Sequence, residues 1–231
     1  MRSHDGVYRN PTPRHIPPLD LLTFLFDSEY SYTSPADIVY ADAERPSIHL
    51  NKAGLQRLIE EFAYGLCNEV GVGAQGPYQD VVVIFSTGQV AYPAALFSVI
   101  AAGGVASLAS SSYKHSELAR QINQSNAKVL IASRDVLHVA REAVASITDR
   151  KVTILVLESD PDFNLHVDGK DGDARLRSIA VEHRLSWSRI TDRDELDKSL
   201  VALLYSAGTT GEPKGMIPDD QFTYIAHYSP H

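Results

Sequence analysis

With 231 residues, 44% of them hydrophobic, the chain can bury a sizeable core as one large or two modest domains. Its 29 acidic and 21 basic residues leave a net charge of −8, which argues against nucleic acid or an anionic membrane as the main partner. The longest apolar run, Ala94 to Ala102, is about half of the roughly twenty residues that span a bilayer. Met1-Arg2-Ser3-His4-Asp5 lacks the apolar centre of a signal peptide, and a lone cysteine, Cys67, forms no internal disulfide; both suit a cytoplasmic setting.

The first fifty residues are punctuated by Pro11, Pro13, Pro17, Pro18, Pro35 and Pro46, which predicts an extended arm draped over a body. From Asn51 the pattern turns helical, with Leu55, Leu58, Ile59, Phe62, Ala63 and Leu66 on one face. Val81 to Phe85 is a continuous β-branched run, hence a strand buried on both sides. A helix over 90–102, a strand over 105–108, a helix over 116–124, a strand over 128–132, a helix over 136–147 and a strand over 152–157 follow. This alternation predicts an α/β fold with a mainly parallel sheet flanked by helices. Residues 158–175, rich in Asp and Gly, read as a solvated loop, and Asp192 to Asp197 as a solvated acidic connection. Trp187 is expected to pack the loop region onto the sheet. A last strand, 200–205, points its carboxyl end at the segment that carries the chemistry.

That segment is Ser206-Ala207-Gly208-Thr209-Thr210-Gly211-Glu212-Pro213-Lys214-Gly215. Glycines let backbone N–H groups turn inward, hydroxyls add donors and Lys214 adds a positive charge, a combination suited to phosphate oxygens. Pro213 and Gly215 flank the lysine, so the spacing is not that of a Walker A loop, which disfavours a kinase. Nor does it match the Gly-x-Gly-x-x-Gly dinucleotide fingerprint.

Residue for residue, the segment resembles the signature of the adenylate-forming superfamily, the AMP-forming acyl-CoA synthetases. Tyr8-Arg9-Asn10-Pro11, Ile84-Phe85-Ser86 with Tyr92-Pro93, Ile100 through Val105, Glu117-Leu118 and Ala127 through Ile131 are similar, in that order, to the 4-coumarate-CoA ligase-like branch. The resemblance implies an incomplete N-terminal domain of that fold: an arm over 1–50 and a partial AMP-binding α/β domain over 51–231. It implies ATP or AMP as ligand, with Mg2+ and coenzyme A, and a small carboxylic acid as substrate. In such a reaction the acid becomes an acyl adenylate and then a thioester. Positioning and electrostatic stabilisation carry most of that catalysis. Ser206, Ala207, Gly208, Thr209, Thr210, Gly211, Pro213, Lys214 and Gly215 are the nucleotide-binding residues it implies, with Thr209, Thr210 and Lys214 on the phosphates. No catalytic residue and no protein partner is assigned. Relatives of the branch are often peroxisomal and some serve secondary metabolism; Ser229-Pro230-His231 is not a peroxisomal address.

Two departures stand out. Pro218-Asp219-Asp220 occupies the place where relatives carry Leu-Thr-His or Leu-Ser-His, and the family's downstream pockets have no counterpart before His231. A non-catalytic nucleotide-binding or partner-docking remnant is therefore the alternative to a truncated acid-CoA ligase. The nine histidines show no metal spacing, since Pro230 spoils the helix that would pair His227 with His231. Ser86-Thr87-Gly88 is expected to start the next helix, and Cys67 to be packed rather than reactive.

Overall fold

Val81–Phe85 forms a central strand because three valines and an isoleucine suit a pleated surface covered on both faces. The computed structural model describes residues 17–169, 176, 183–207 and 213–216. Among them lie α1 (Leu21–Phe26), β1 (Ile38–Ala41), β2 (His49–Asn51), α2 (Lys52–Gly65), β3 (Val81–Phe85) and α3 (Tyr92–Ala101). Next come β4 (Val105–Ala109), α4 (His115–Gln124), β5 (Val129–Ser133), α5 (Leu137–Ala145) and β6 (Thr153–Glu158). The remaining elements are β7 (Asn164–Val167), α6 (Arg193–Lys198), β8 (Ala202–Ala207) and β9 (Pro213–Met216). A π turn, Leu66–Val70, prolongs α2, and a 3-10 turn, Arg134–Val136, leads into α5.

Seven strands form one sheet in the order β7-β6-β5-β3-β4-β8-β9. The inner five run parallel, while β7 and β9 close the two edges antiparallel. The fold is therefore the expected mainly parallel sheet with flanking helices. Side chains alternate across it with the period of two that a strand imposes. Val82, Ile84, Ile131 and Leu155 pack with Leu58, Phe62, Ala95 and Val99 of α2 and α3. Val83, Phe85, Leu130 and Val156 pack with Leu118, Ile122, Leu137 and Ala140 of α4 and α5. Helices thus leave β3 towards one face of the sheet and β4 and β5 towards the other.

Local chemistry explains where the helices begin and stop. Asn51 caps α2 by accepting the Gly54 N–H at 2.7 Å, and Pro93 sits in the first turn of α3. At the other end of α3, the N–H groups of Gly103 and Gly104 donate to the carbonyls of Ile100 and Val99, both at 2.9 Å. That pattern is a Schellman stop, and it requires the positive φ of 76° that Gly103 supplies.

Four expectations are corrected. Within the segment read as an extended arm, residues 21–26 are helical, with Asp20 accepting the Thr23 N–H at 2.9 Å, and β1 pairs with β2 antiparallel. Within the segment read as a solvated loop, Asn164–Val167 adds a strand beside β6, with Leu165 fully buried. The acidic stretch forms the short helix α6, because Asp192 caps it through the Glu195 N–H at 2.9 Å. Trp187 packs on α1 rather than on the sheet: its ring lies 5.8 Å from that of Phe26, and its Nε1 donates to Thr23 Oγ1 at 3.2 Å.

Candidate nucleotide-binding site

β8 enters the sheet beside β4 with Ala202 opposite Ala106 and Leu203 opposite Ser107. Beyond that point its ladder is with β9 alone: Leu204 faces Met216, Tyr205 faces Gly215, Ser206 faces Lys214 and Ala207 faces Pro213. The carboxyl end of β8 therefore pairs with β9 as a hairpin, and Leu204 at its base is half exposed. β9 is the edge of the sheet, and Pro213, with no N–H to donate, is its first residue, a place where proline costs no ladder bond. In sequence, residues 208–212 connect the two strands.

Of the residues expected to bind nucleotide, Ser206 and Ala207 end β8, while Pro213, Lys214 and Gly215 form β9. The hairpin register brings the hydroxyl-bearing and the cationic position, Ser206 and Lys214, directly opposite one another. Gly208, Thr209, Thr210 and Gly211 lie outside the described residues, as do Glu212, Asp219, Asp220, His227 and His231.

Tyr205 anchors the hairpin to the body. It lies beside Tyr113, Gln121 and Gln124 of the α4 region. Burial pushes its phenol pKa up. Beneath it, the buried Gln121 of α4 donates to Ser107 Oγ on β4 at 2.9 Å and to the Leu108 carbonyl at 3.2 Å. These bonds tie β4, the strand on which β8 pairs, to α4.

A second polar group gathers at the same end of the sheet. The Thr87 N–H donates to Ser133 Oγ at 3.2 Å, and Thr87 Oγ1 donates to Asp135 Oδ2 at 2.8 Å, joining the ends of β3 and β5. Burial acts to raise the Asp135 pKa, but hydrogen bonds from Ser133, Thr87 and nearby backbone outweigh it and hold the carboxyl below its ordinary range. Thr87 therefore ties two strands together, whereas α3 begins at Tyr92 without a side-chain cap. The expectation that Ser86-Thr87-Gly88 merely starts that helix is corrected. One clue in the sequence was the polar run Ser133-Arg134-Asp135 directly after a buried strand. Cys67 is half-buried, its Sγ is 3.7 Å from the Ala102 carbonyl, and burial pushes its thiol pKa up.

The description of the AMP-binding enzyme family matches residues 33–221, a span that contains the whole hairpin. The chain belongs to the AMP-binding enzyme family. An Emericella nidulans protein described as an acyl-coenzyme A synthetase is 39% identical over 202 residues, covering 87% of this chain and 36% of that relative. The 4-coumarate–CoA ligase-like 3 protein of Arabidopsis thaliana is 26% identical over 232 residues, covering 98% of this chain and 39% of that relative. This chain thus spans little more than a third of the length of either. The crystal structure of a benzoate CoA ligase from Burkholderia xenovorans LB400 shares its fold, with a TM-score of 0.55 at 17% identity, over 78% of this chain and 31% of that one. Among the described residues of this family member, no helix is long and apolar enough to cross a membrane.

Proposed function

We propose that the β8–β9 hairpin holds the phosphates of ATP in an acid–CoA ligase reaction, in which a carboxylic acid is activated as its adenylate and passed to coenzyme A. The observation that carries this reading is the register that sets Lys214 opposite Ser206 on either side of a Gly/Thr connection, at the carboxyl end of a parallel sheet. Open α/β sheets bind ligands at that end. Lys214 would supply the charge, Ser206, Thr209 and Thr210 the hydroxyl donors, and Gly208, Gly211 and Gly215 the backbone approach. Ala207 and Pro213, the last paired positions, would hold the ends of the connection in place.

Among the described residues no three His, Cys, Asp or Glu side chains gather as a metal cage. Mg2+ would arrive on the triphosphate oxygens, as this ion ordinarily does with nucleotides. The division into an arm over 1–50 and an AMP-binding body over 51–231 belongs to the same proposal. The Ile190 N–H donating to Asp20 Oδ2 at 3.0 Å, and the Trp187 bond to Thr23, support docking of the one on the other. The single cysteine suits the reducing cytoplasm.

The test is ATP–pyrophosphate exchange with a panel of fatty and aromatic acids. Acid-dependent exchange that falls when Lys214 becomes Ala supports the reading. ATP binding without exchange under any acid would instead make the chain a non-catalytic nucleotide binder. Phosphoryl transfer to an acceptor without AMP formation would overturn both.

A further inference from the structure

At the opposite end of the sheet from the hairpin lies a cavity of about 230 Å³. Its floor is the backbone that feeds three strands: Pro77 and Tyr78 before β3, Gly103 before β4 and Val201 before β8. Its walls include Leu22 of α1, Ile100 of α3, Leu196 of α6 and Trp187. A largely apolar hollow with a few convergent polar groups is the ordinary form of a small-molecule site.

Two carboxylates set the character of this one. Asp20 and Glu195 both line the cavity, and none of the described residues that line it is basic. Tyr78 and Ser199 line the same cavity, and burial, with smaller contributions from the Glu195 and Asp20 charges, pushes the Tyr78 phenol pKa up. Asp20 already accepts two backbone N–H groups, from Thr23 and Ile190. The Glu195 side chain has no hydrogen bond or ion pair among the described residues. Tyr78 itself has a φ of 63°, unusual for a residue with a side chain, and its N–H is held by the Gly103 carbonyl at 2.7 Å. Strained backbone of this kind persists where the surroundings over-determine it, and it clusters at ligand sites.

We propose that this cavity binds a small amphiphilic cation, an aryl- or alkylammonium ion, with its hydrocarbon end between Leu22, Ile100 and Trp187 and its ammonium at Glu195 and Asp20. The same charges repel carboxylates, so the site is distinct from one that takes the acid of the proposed reaction. Neither its position nor its chemistry depends on the hairpin.

Trp187 is the only tryptophan in the chain, so its emission reports occupancy directly. Benzylammonium should change that emission saturably, with a Kd of about 1 mM or tighter, a strength within reach of a probe of about eight non-hydrogen atoms. Benzoate should neither produce the change nor compete. Glu195→Gln, an exposed substitution that leaves the fold intact, should weaken benzylammonium roughly three- to tenfold and leave the neutral benzyl alcohol unchanged. Ala101→Met, which fills the cavity, should abolish both responses while circular dichroism stays native. The absence of a saturable response, binding of benzoate as tight as that of benzylammonium, or equal loss of both ligands in Glu195→Gln would each overturn the proposal.

Discussion

Gly65 offers a test in which two simple arguments predict opposite signs. It lies in the last turn of α2, where helix propensity alone says that alanine should stabilise by about 1 kcal/mol. The structure says otherwise, because a Cβ there would stand 2.3 Å from the Leu176 carbonyl oxygen and 2.8 Å from the Leu176 Cβ. The obstacle is backbone, which cannot swing away as the end of a side chain can. Overpacking of this kind costs about 1–3 kcal/mol.

An upper limit comes from letting the Leu176 segment detach. That forfeits burial of one leucine, 3% exposed in the native chain, at about 2 kcal/mol. It also forfeits the bond from the Leu176 N–H to the Leu165 carbonyl, 2.7 Å long, at about 1 kcal/mol. Setting the propensity gain of about 1 kcal/mol against these responses leaves Gly65→Ala neutral to destabilising, by about 0–2 kcal/mol. Urea unfolding followed by circular dichroism measures this, with an unchanged denaturant slope as the check on two-state behaviour. In a Leu176→Ala background the two losses should sum to less than their separate values. A Gly65→Ala chain that is more stable than the parent would refute the reasoning.

Other expectations follow from the charged and nucleophilic groups. The Arg141 guanidinium grips Asp168 through two bonds, at 2.6 and 2.9 Å, and holds its carboxyl below the usual range. A depressed carboxyl contributes stability above its unfolded pKa of about 3.9 and loses it as pH falls through the folded value. Asp168→Asn should therefore be less stable than the parent near pH 7, and the difference in urea midpoint should close on acidification below about pH 4. Cys67, whose pKa is raised by burial, should react with an aromatic disulfide reagent at pH 8 about tenfold or more slowly in the native chain than in urea. Equal rates would place the thiol at the surface.

Much of the fold was legible because its strands are extreme in composition. Val81–Phe85, Val129–Ser133 and Thr153–Glu158 are apolar runs, and each falls within a residue of where the pattern puts it. β7 was not legible: Asn164–Val167 sits in an Asp/Gly-rich stretch, and what makes it a strand is its ladder to β6, a partner that local composition does not announce. β9 was hidden for the same reason. Pro-Lys-Gly-Met has poor intrinsic strand preference, and its conformation comes from pairing with β8.

The phosphate motif could thus be read as a set of residue types but not as a hairpin whose flanks meet in register. α6 is different, since Asp192 followed three residues later by Glu195 is a capping signature, and weighing it would have found the helix. The partner of Trp187 was beyond local reading altogether, because Thr23 lies 164 residues away in the chain.

The central claim is that ATP phosphates sit in the β8–β9 hairpin, and amide hydrogen exchange with and without ATP tests it most directly. The account predicts slowed exchange over residues 206–215 when MgATP is added, and loss of that protection in Lys214→Ala, whose affinity should fall roughly tenfold to a hundredfold. Saturable ATP binding that protects some other part of the chain and leaves 206–215 unchanged would contradict it.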